Sequence, residues 1–508
     1  MQERLIIAEN GLPAAYAGDK PLHSRYNPRG EAEKYIRSLD LAPEIRFFIL
    51  PEPGLGYIIA PLRQRFPRAK IIVLHLSDFF INPRPENEPG GQPAAVWSPG
   101  SGMGLQQFLE DEIPDTDAKT IKIIQWRPAL AAYGEGYLRL LTETADFIKR
   151  ADANKRTVRG FGLRWVRNFF RNLRLLRSVV TYPLLNRPLI VTGAGPSLEE
   201  SIPLIGEIKK GGGLILAASS SVPALIAGGL APDMVISTDG GGWALFHLYE
   251  GLRRGRGGKI PSFDLAAGLN AALPSQCGDL PLLPISDGSL WQDLVLRKLG
   301  VPFIALPQRG TVTASALDLA FSLTRGRVFI AGMDLSHRDI RTHARPYSFE
   351  RFREEKASRL YPVYTQDFLR SRAMASGGSH DIYASWFSRR LAAYPGRLFS
   401  LGNNHPLFGD LKIREETDPD AGGKGAGRVF RKFWVNREDL AGRAAALLLD
   451  ALNDEKTAAA LTGELAPLVL PDEDDPGPAQ LRQALAPILK ACLPDRKGTE
   501  QPPRAAHG

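Results

Sequence analysis

The chain has 508 residues, 44% of them hydrophobic and 23% charged, with a formal net charge of +9. That balance describes a globular protein with sizeable cores and excludes a disordered or collagen-like chain; by length it holds about three domains. Two cysteines, Cys277 and Cys492, cannot build a disulfide framework or a thiolate metal site, so a reducing compartment is the natural setting.

The opening MQERLIIAENG has no basic segment followed by an apolar one. No uncharged apolar run reaches the ~20 residues that span a bilayer. The expectation is a cytoplasmic protein without an integral membrane segment.

Residues 1–150 read as a first α/β domain. An apolar strand over Ile45–Leu50 leads through the turn Pro53-Gly54-Leu55-Gly56 into a helix ending near Phe66, and a second strand covers Lys70–Leu76. A dinucleotide site would want an acidic residue at the end of that second strand, where Leu74, His75 and Leu76 stand and Asp78 comes late; packing without a cofactor is the expectation. The stretch Asn82–Gly104, rich in Pro, Gly and Ser, reads as a lid or surface loop.

Residues 151–186 form a basic helical connector, since no Asp or Glu occurs between Ala153 and Leu198. Arg164, Arg167, Arg171 and Arg174 step by three and four along one helical face, while Leu163, Val166, Phe170 and Leu173 line another. The expected role is a solvated face on an amphipathic helix, with an anionic substrate or acidic partner as the alternative. No motif supports nucleic-acid binding.

Residues 187–412 repeat strand and helix signals, with strands over Leu189–Thr192, Gly213–Ala217, Met234–Thr238, Phe303–Leu306, Val328–Ala331 and Arg397–Leu401. This is a larger parallel-sheet domain, in which ligands sit beyond the carboxyl ends of the strands. The first strand runs into RPLIVTGAGPSLEESI. Gly193 and Gly195 would free backbone N–H groups for a ligand, Pro196 suits a first helical turn, Ser197 offers a hydroxyl, and the helix start favours an anion. The turn is neither GxGxxG nor a phosphate loop. Beyond other strands stand Ser219, Ser220 and Ser221, then Asp239 followed by three glycines, then Asp334, which is as well suited to capping a helix as to a ligand. QRGTVTASALD opens a second helix with Thr313 and Ser315 near its start. His337, His343 and His380 are the candidate general bases, because imidazole titrates near neutral pH. No HExxH or GxSxG pattern supports zinc hydrolysis or serine esterase chemistry. Residues 413–508 read as a C-terminal helical region, Leu440–Leu452, Thr457–Leu468 and Gln480–Cys492, ending in a polar tail.

GAGPSLEES at 193–201, AASSSVPALIAGGLAPDMVISTD at 217–239, AGMDLS and THA within 331–344, the upstream Trp165, Asn168 and Asn172, and LHSRYNPRGEAEKYI with GLGY in the first domain together resemble the motility accessory factor family of flagellin glycosylation proteins. The central domain of that family is also described as 6-hydroxymethylpterin diphosphokinase-like, or MptE-like, and it is similar to the Cst-type sialyltransferases. The resemblance implies a central Rossmann-like domain that takes a CMP-activated nonulosonic acid, of pseudaminic or legionaminic type, and transfers it to Ser or Thr of flagellin. It implies that Gly193, Gly195, Pro196 and Ser197 hold the phosphate region. Ser219, Ser220 and Asp239 would hold the ribose or base, and Thr313 and Ser315 the other side of the nucleotide. It also points to Asp334 in a Gly-x-Asp strand end, and to His380 as base with His343 as the other candidate. One alternative is diphosphate transfer from ATP to a pterin alcohol, for which Mg²⁺ would need two carboxylates and Asp239 with Asp334 is the obvious pair. The other is a flagellin-binding protein without turnover.

Overall fold

The computed structural model describes residues 2–81, 93–113, 118–254, 263–307, 310–376, 387, 396–402, 404, 408, 431–434, 439–473 and 475–493. Contacts divide the chain into two compact units, 1–160 and 161–508.

In the first unit, an antiparallel sheet joins β1 (Glu3–Ile7), β2 (Pro13–Ala17) and β3 (Lys20–Pro21). Helix α1 (Pro28–Ser38) starts where the Asn27 side chain accepts the Gly30 N–H. A parallel sheet follows, built from β4 (Phe47–Pro51), β5 (Lys70–Leu74), β6 (Ala95–Trp97) and β7 (Ile121–Ile123) in the order β6-β5-β4-β7. Its helices are α2 (Ile59–Arg65), α3 (Leu105–Glu112), α4 (Arg127–Tyr133) and the first part of α5 (Glu135–Leu173). The continuous apolar runs of β4 and β5, buried on both faces, are what a covered parallel sheet requires. Strand β6 lies inside the stretch expected to be loop.

The sequence reading placed the βαβ pattern well but missed what fills its carboxyl edge. Glu52, at φ +42° directly after β4, is fully buried. Its carboxylate accepts the Leu76 N–H at 2.7 Å and the Gly54 N–H at 3.3 Å and meets His75 Nδ1 at 3.1 Å. The position where a dinucleotide fold presents a ribose-binding acid is thus held by a buried histidine tied to a structural carboxylate.

The second unit is a large sheet of β8 (Ser178–Thr181), β9 (Leu189–Thr192), β10 (Leu214–Ala218), β11 (Met234–Ser237), β12 (Asp264–Gly268), β13 (Leu282–Ser286), β14 (Ile304–Ala305), β15 (Val328–Ala331), β16 (Leu398–Ser400) and β17 (Arg431–Trp434). The order is β16-β15-β9-β10-β11-β12-β13-β8-β17, with β14 beside β13. Every pairing is parallel except that of β17 with β8. Helices α6 (Leu198–Lys210), α7 (Val222–Ala227), α8 (Ala244–Arg254), α9 (Leu290–Lys298) and α10 (Val312–Leu323) connect successive strands, and α11 (Glu350–Lys356) and α12 (Val363–Ser376) lie between β15 and β16. This is the mixed α/β architecture expected, with a mostly parallel central sheet. Strands β8, β12, β13 and β17 and helices α11 and α12 were not anticipated. From β9 the chain steps one way through β10 to β13, and β15 lands on the other side of β9, so the topological switch point falls at the carboxyl ends of β9 and β15.

The C-terminal helices α13 (Leu440–Ala451), α14 (Glu455–Val469) and α15 (Pro478–Cys492) pack into the core of this unit, where Leu440, Leu461 and Leu485 join Trp291 and Phe169. The Glu464 carboxylate of α14 accepts the N–H groups of Leu290 and Trp291 at 2.9 and 3.1 Å, capping α9.

Candidate functional site

The connector helix meets the sheet through its polar inner residues. Val166, Phe169, Phe170 and Leu173 of α5 are buried, while Arg164, Arg167, Arg171 and Arg174 are exposed. Asn172 Nδ2 donates to the Leu269 and Ala271 carbonyls, each at 2.8 Å, and Asn168 Nδ2 donates to the Asn270 carbonyl at 3.1 Å. Trp165 lies against Gly240, where any Cβ would come under 3.0 Å of the indole. Residues 165, 168 and 172 therefore hold the loops that follow β11 and β12. Their spacing of three and four was visible in the sequence, and only the tertiary contacts reveal its purpose.

At the switch point the N–H groups of the two turn glycines face backbone carbonyls. The Gly193 N–H donates to the Ala331 carbonyl at 2.8 Å and the Gly195 N–H to the Gly332 carbonyl at 2.9 Å, so neither is free for a ligand. A Cβ at either glycine would fall under 3.0 Å of the Gly332 carbonyl, and at Gly195 also of Asp334 Oδ2. The glycines are there because two strand ends cross. Pro196 precedes the N-cap of α6, which is Ser197. The Ser197 hydroxyl donates to Asp334 Oδ2 at 2.7 Å, and its N–H reaches both carboxylate oxygens at 3.2 Å. The anion at this helix start is Asp334 itself, supplied by the segment after β15. Burial raises its pKa above the ordinary carboxylate value, against the lowering influence of Ser197 and Arg338.

The other anticipated residues lie beyond the carboxyl ends of neighbouring strands and at the start of α10. Ser219 is buried and Ser220 half-buried beyond β10, and the neighbouring Ser221 is bonded to Thr192 Oγ1 at 2.9 Å. Asp239 is exposed beyond β11, and its carboxylate accepts the Gly241 N–H at 2.7 Å. With Asp334 held by Ser197 and Asp239 turned to its own loop, this pair does not fit a Mg²⁺ site. Among the described residues no group of three or more His, Cys, Asp or Glu side chains could hold a metal ion. Thr313 is half-buried, with its methyl 3.5 Å from where a Cβ on Gly193 would lie, so the start of α10 adjoins the glycine turn. Thr311 caps that helix through the Ala314 N–H at 3.0 Å, and the Ser315 hydroxyl turns back to the Thr311 carbonyl at 3.4 Å, away from any ligand.

Beyond β15 the chain runs along α6 and opens a cavity of about 350 Å³. The Ala344 N–H donates to the Ala194 carbonyl at 2.8 Å, and Glu199 accepts the Arg345 N–H at 2.8 Å. His343 and Tyr347 line the cavity with Arg341, Arg345, Arg353 and Asp367. The His343 ring stacks on Tyr347 with centroids 4.1 Å apart, and Nδ1 meets Thr342 Oγ1 at 2.8 Å. Asp367 pairs with Arg353 and, at 3.3 Å, with Arg345. Burial raises the Tyr347 hydroxyl's pKa, opposed by Arg370 and Arg353. Glu350 and Glu354 also line the cavity, and Arg341 and Arg345 face the Glu199 and Glu350 carboxylates at 3.3 and 3.5 Å, so the half-buried imidazole stands among paired charges of both signs. His337 is exposed, and His380 lies outside the described residues. Arg345, Tyr347, Arg353 and Asp367 were missed; the density of Arg and aromatic residues in RTHARPYSFERFR, 341–353, was the available signal for the first three, and Asp367 had none.

Fold and site thus define a doubly wound α/β protein with a cavity in the segment that follows β15, tied by Ala344 to the turn after β9. Residues 164–339 match the family model described as 6-hydroxymethylpterin diphosphokinase MptE-like. The MAf glycosyltransferase from Magnetospirillum magneticum AMB-1 has a similar fold, with a TM-score of 0.52 and 14% identity over 97% of this chain and 86% of that one. Both findings support the resemblance to motility accessory factors, the first through one domain and the second through fold alone. An uncharacterised protein of Treponema pallidum (strain Nichols) is 27% identical over 289 residues, 56% of this chain, and the match spans 61% of that relative's length. Among the described residues no helix is long and apolar enough to cross a membrane.

Proposed function

We propose that the chain is a glycosyltransferase that moves a CMP-activated nonulosonic acid to Ser or Thr hydroxyls of flagellin. The observation that carries this reading is the cavity beyond β15, in which His343 stands among guanidinium groups next to the switch-point turn. The likeness of fold to a MAf glycosyltransferase supports the reaction class.

In this reading the nucleotide lies across the carboxyl ends of β10 and β11, near Ser219, Ser220 and Asp239, with Thr313 opposite. The nonulosonic carboxylate enters the cavity, where planar guanidinium groups suit it. His343 takes the proton of the acceptor hydroxyl as its oxygen bonds to the anomeric carbon and the bond to the CMP phosphate breaks. Gly193, Gly195, Pro196, Ser197 and Asp334 shape the corner. Cytoplasmic residence suits both partners.

The test is transfer from CMP-legionaminic or CMP-pseudaminic acid to purified flagellin, read by mass. His343→Gln should lower the rate by about 10²-fold or more while the protein stays folded. Thermal stabilisation by ATP with Mg²⁺ and none by cytidine nucleotides would instead favour diphosphate transfer to a pterin alcohol.

A further inference from the structure

Exposed apolar side chains are unevenly distributed in this protein. Trp243 is 59% exposed and Phe246 38%, while Tyr364 is 65% exposed, Phe368 41% and Leu360 93%. Among the described residues, eight of the eighteen exposed large apolar side chains lie in two short segments, 243–249 at α8 and 360–369 at α12. A soluble surface rarely concentrates large apolar groups in this way without a partner.

The α8 rings connect directly to the cavity. Tyr347, on which His343 stacks, lies 5.3 Å from Phe349 between ring centroids. Phe349 in turn lies 5.3 Å from Phe246 and 6.0 Å from Trp243, and Phe352 of α11 lies 5.5 Å from Trp243. On the other side of α11, Val363 and Asp367 of α12 line the cavity while Tyr364 and Phe368 stay exposed. Both sets of rings thus adjoin residues that line the cavity.

The charges on this face select the partner. Lys356 sits 4.1 Å over the Phe352 ring and Arg372 5.9 Å over Phe368, and neither has a carboxylate within ion-pair distance among the described residues. Glu354 and Glu355 are exposed on the same short helix. Cationic and anionic groups are interspersed on these segments, a pattern that suits the mixed charges of a polypeptide better than the uniformly negative surface of an anionic bilayer.

We propose that this aromatic face receives the acceptor polypeptide, a segment with apolar side chains and carboxylates around the hydroxyl that is modified. The proposal rests on the transferase reading above. Its test compares the full chain with Trp243→Ala, Tyr364→Ser/Phe368→Ser and, as a surface control in the other unit, Leu138→Ser. Three quantities are measured: binding to purified flagellin by biolayer interferometry, KM for flagellin, and hydrolysis of the CMP-sugar without acceptor. The expected result is flagellin binding weakened and KM raised about tenfold or more in the aromatic variants, with donor hydrolysis and the control unchanged. Unaltered flagellin binding in the aromatic variants, or no flagellin binding by the unaltered chain, overturns the proposal. So does loss of co-sedimentation with phosphatidylglycerol vesicles with flagellin binding intact, which would assign the face to a membrane. Flagellin binding that depends on these rings, in a protein that turns over no CMP-sugar, would keep the docking face and overturn the transferase reading.

Discussion

The carboxylate of Asp334 accepts the Ser197 hydroxyl at 2.7 Å, joining the turn after β15 to the N-cap of the helix after β9. A helix start that attracts an anion is thereby satisfied from within the protein. The same segment returns along α6, where the Ala344 N–H donates to the Ala194 carbonyl and the Arg345 N–H to Glu199 on either side of the turn, next to His343.

Asp334→Ala leaves the buried Ser197 hydroxyl and N–H without that acceptor and should cost about 1–3 kcal/mol of stability by urea denaturation. Asp334→Asn keeps an acceptor and should cost less. Because burial raises the Asp334 pKa, the folded protein holds this proton to higher pH than the unfolded chain does. Stability from this group is therefore highest below the ordinary carboxyl range and declines as pH rises through the folded value. The stability difference between the native protein and Asp334→Asn should shrink as pH rises through that window. A constant difference would remove Asp334 from the pH dependence.

Gly195→Ala should destabilise the protein itself. Its Cβ would come under 3.0 Å of Asp334 Oδ2 and the Gly332 carbonyl, and overpacking of this kind costs about 1–3 kcal/mol. The loss should appear in thermal unfolding without any ligand. A variant with unaltered melting and weakened nucleotide binding would return the turn to the role of a phosphate cradle.

Burial lowers the His23 pKa to about 3 and that of His247 to about 4, with Arg370 adding to the effect at His247. Both are neutral in the folded protein and become charged near the ordinary value of 6.5 when it unfolds. Stability should therefore fall as pH drops below 6.5 towards these folded values. His247→Gln should flatten part of that slope in urea titrations at several pH values; an identical slope would exclude His247 as a contributor.

Asn172→Ala removes two hydrogen bonds to the Leu269 and Ala271 carbonyls and should cost about 1–3 kcal/mol. Amide exchange should speed up in the loops after β11 and β12 first. Uniform acceleration over the whole second unit would mean that Asn172 supports the core and not those loops.

Much of the architecture was legible because burial on both faces writes continuous apolar runs into β4, β9 and β15, and amphipathic spacing marks α5 and the C-terminal helices. Strands β12 and β13 escaped because DLAAG and LLPIS carry Asp, Gly and Pro that read as turn signals, and only their neighbours make them strands. At the site, His343 was among the candidates, whereas Tyr347, Arg353 and Asp367 were not. Their importance lies in converging on one cavity from different elements.

The sequence by itself determined a parallel α/β protein, the strand-to-helix turn at Gly193–Ser197, the arginine-faced helix and the family it resembles, because these depend on short-range pattern and residue type. Tertiary structure alone decided what the glycines are for. Whether a backbone N–H faces a ligand or a neighbouring carbonyl depends on which strand end crosses it, and here β15, distant in sequence, brings Gly332 and Asp334 to fill that place.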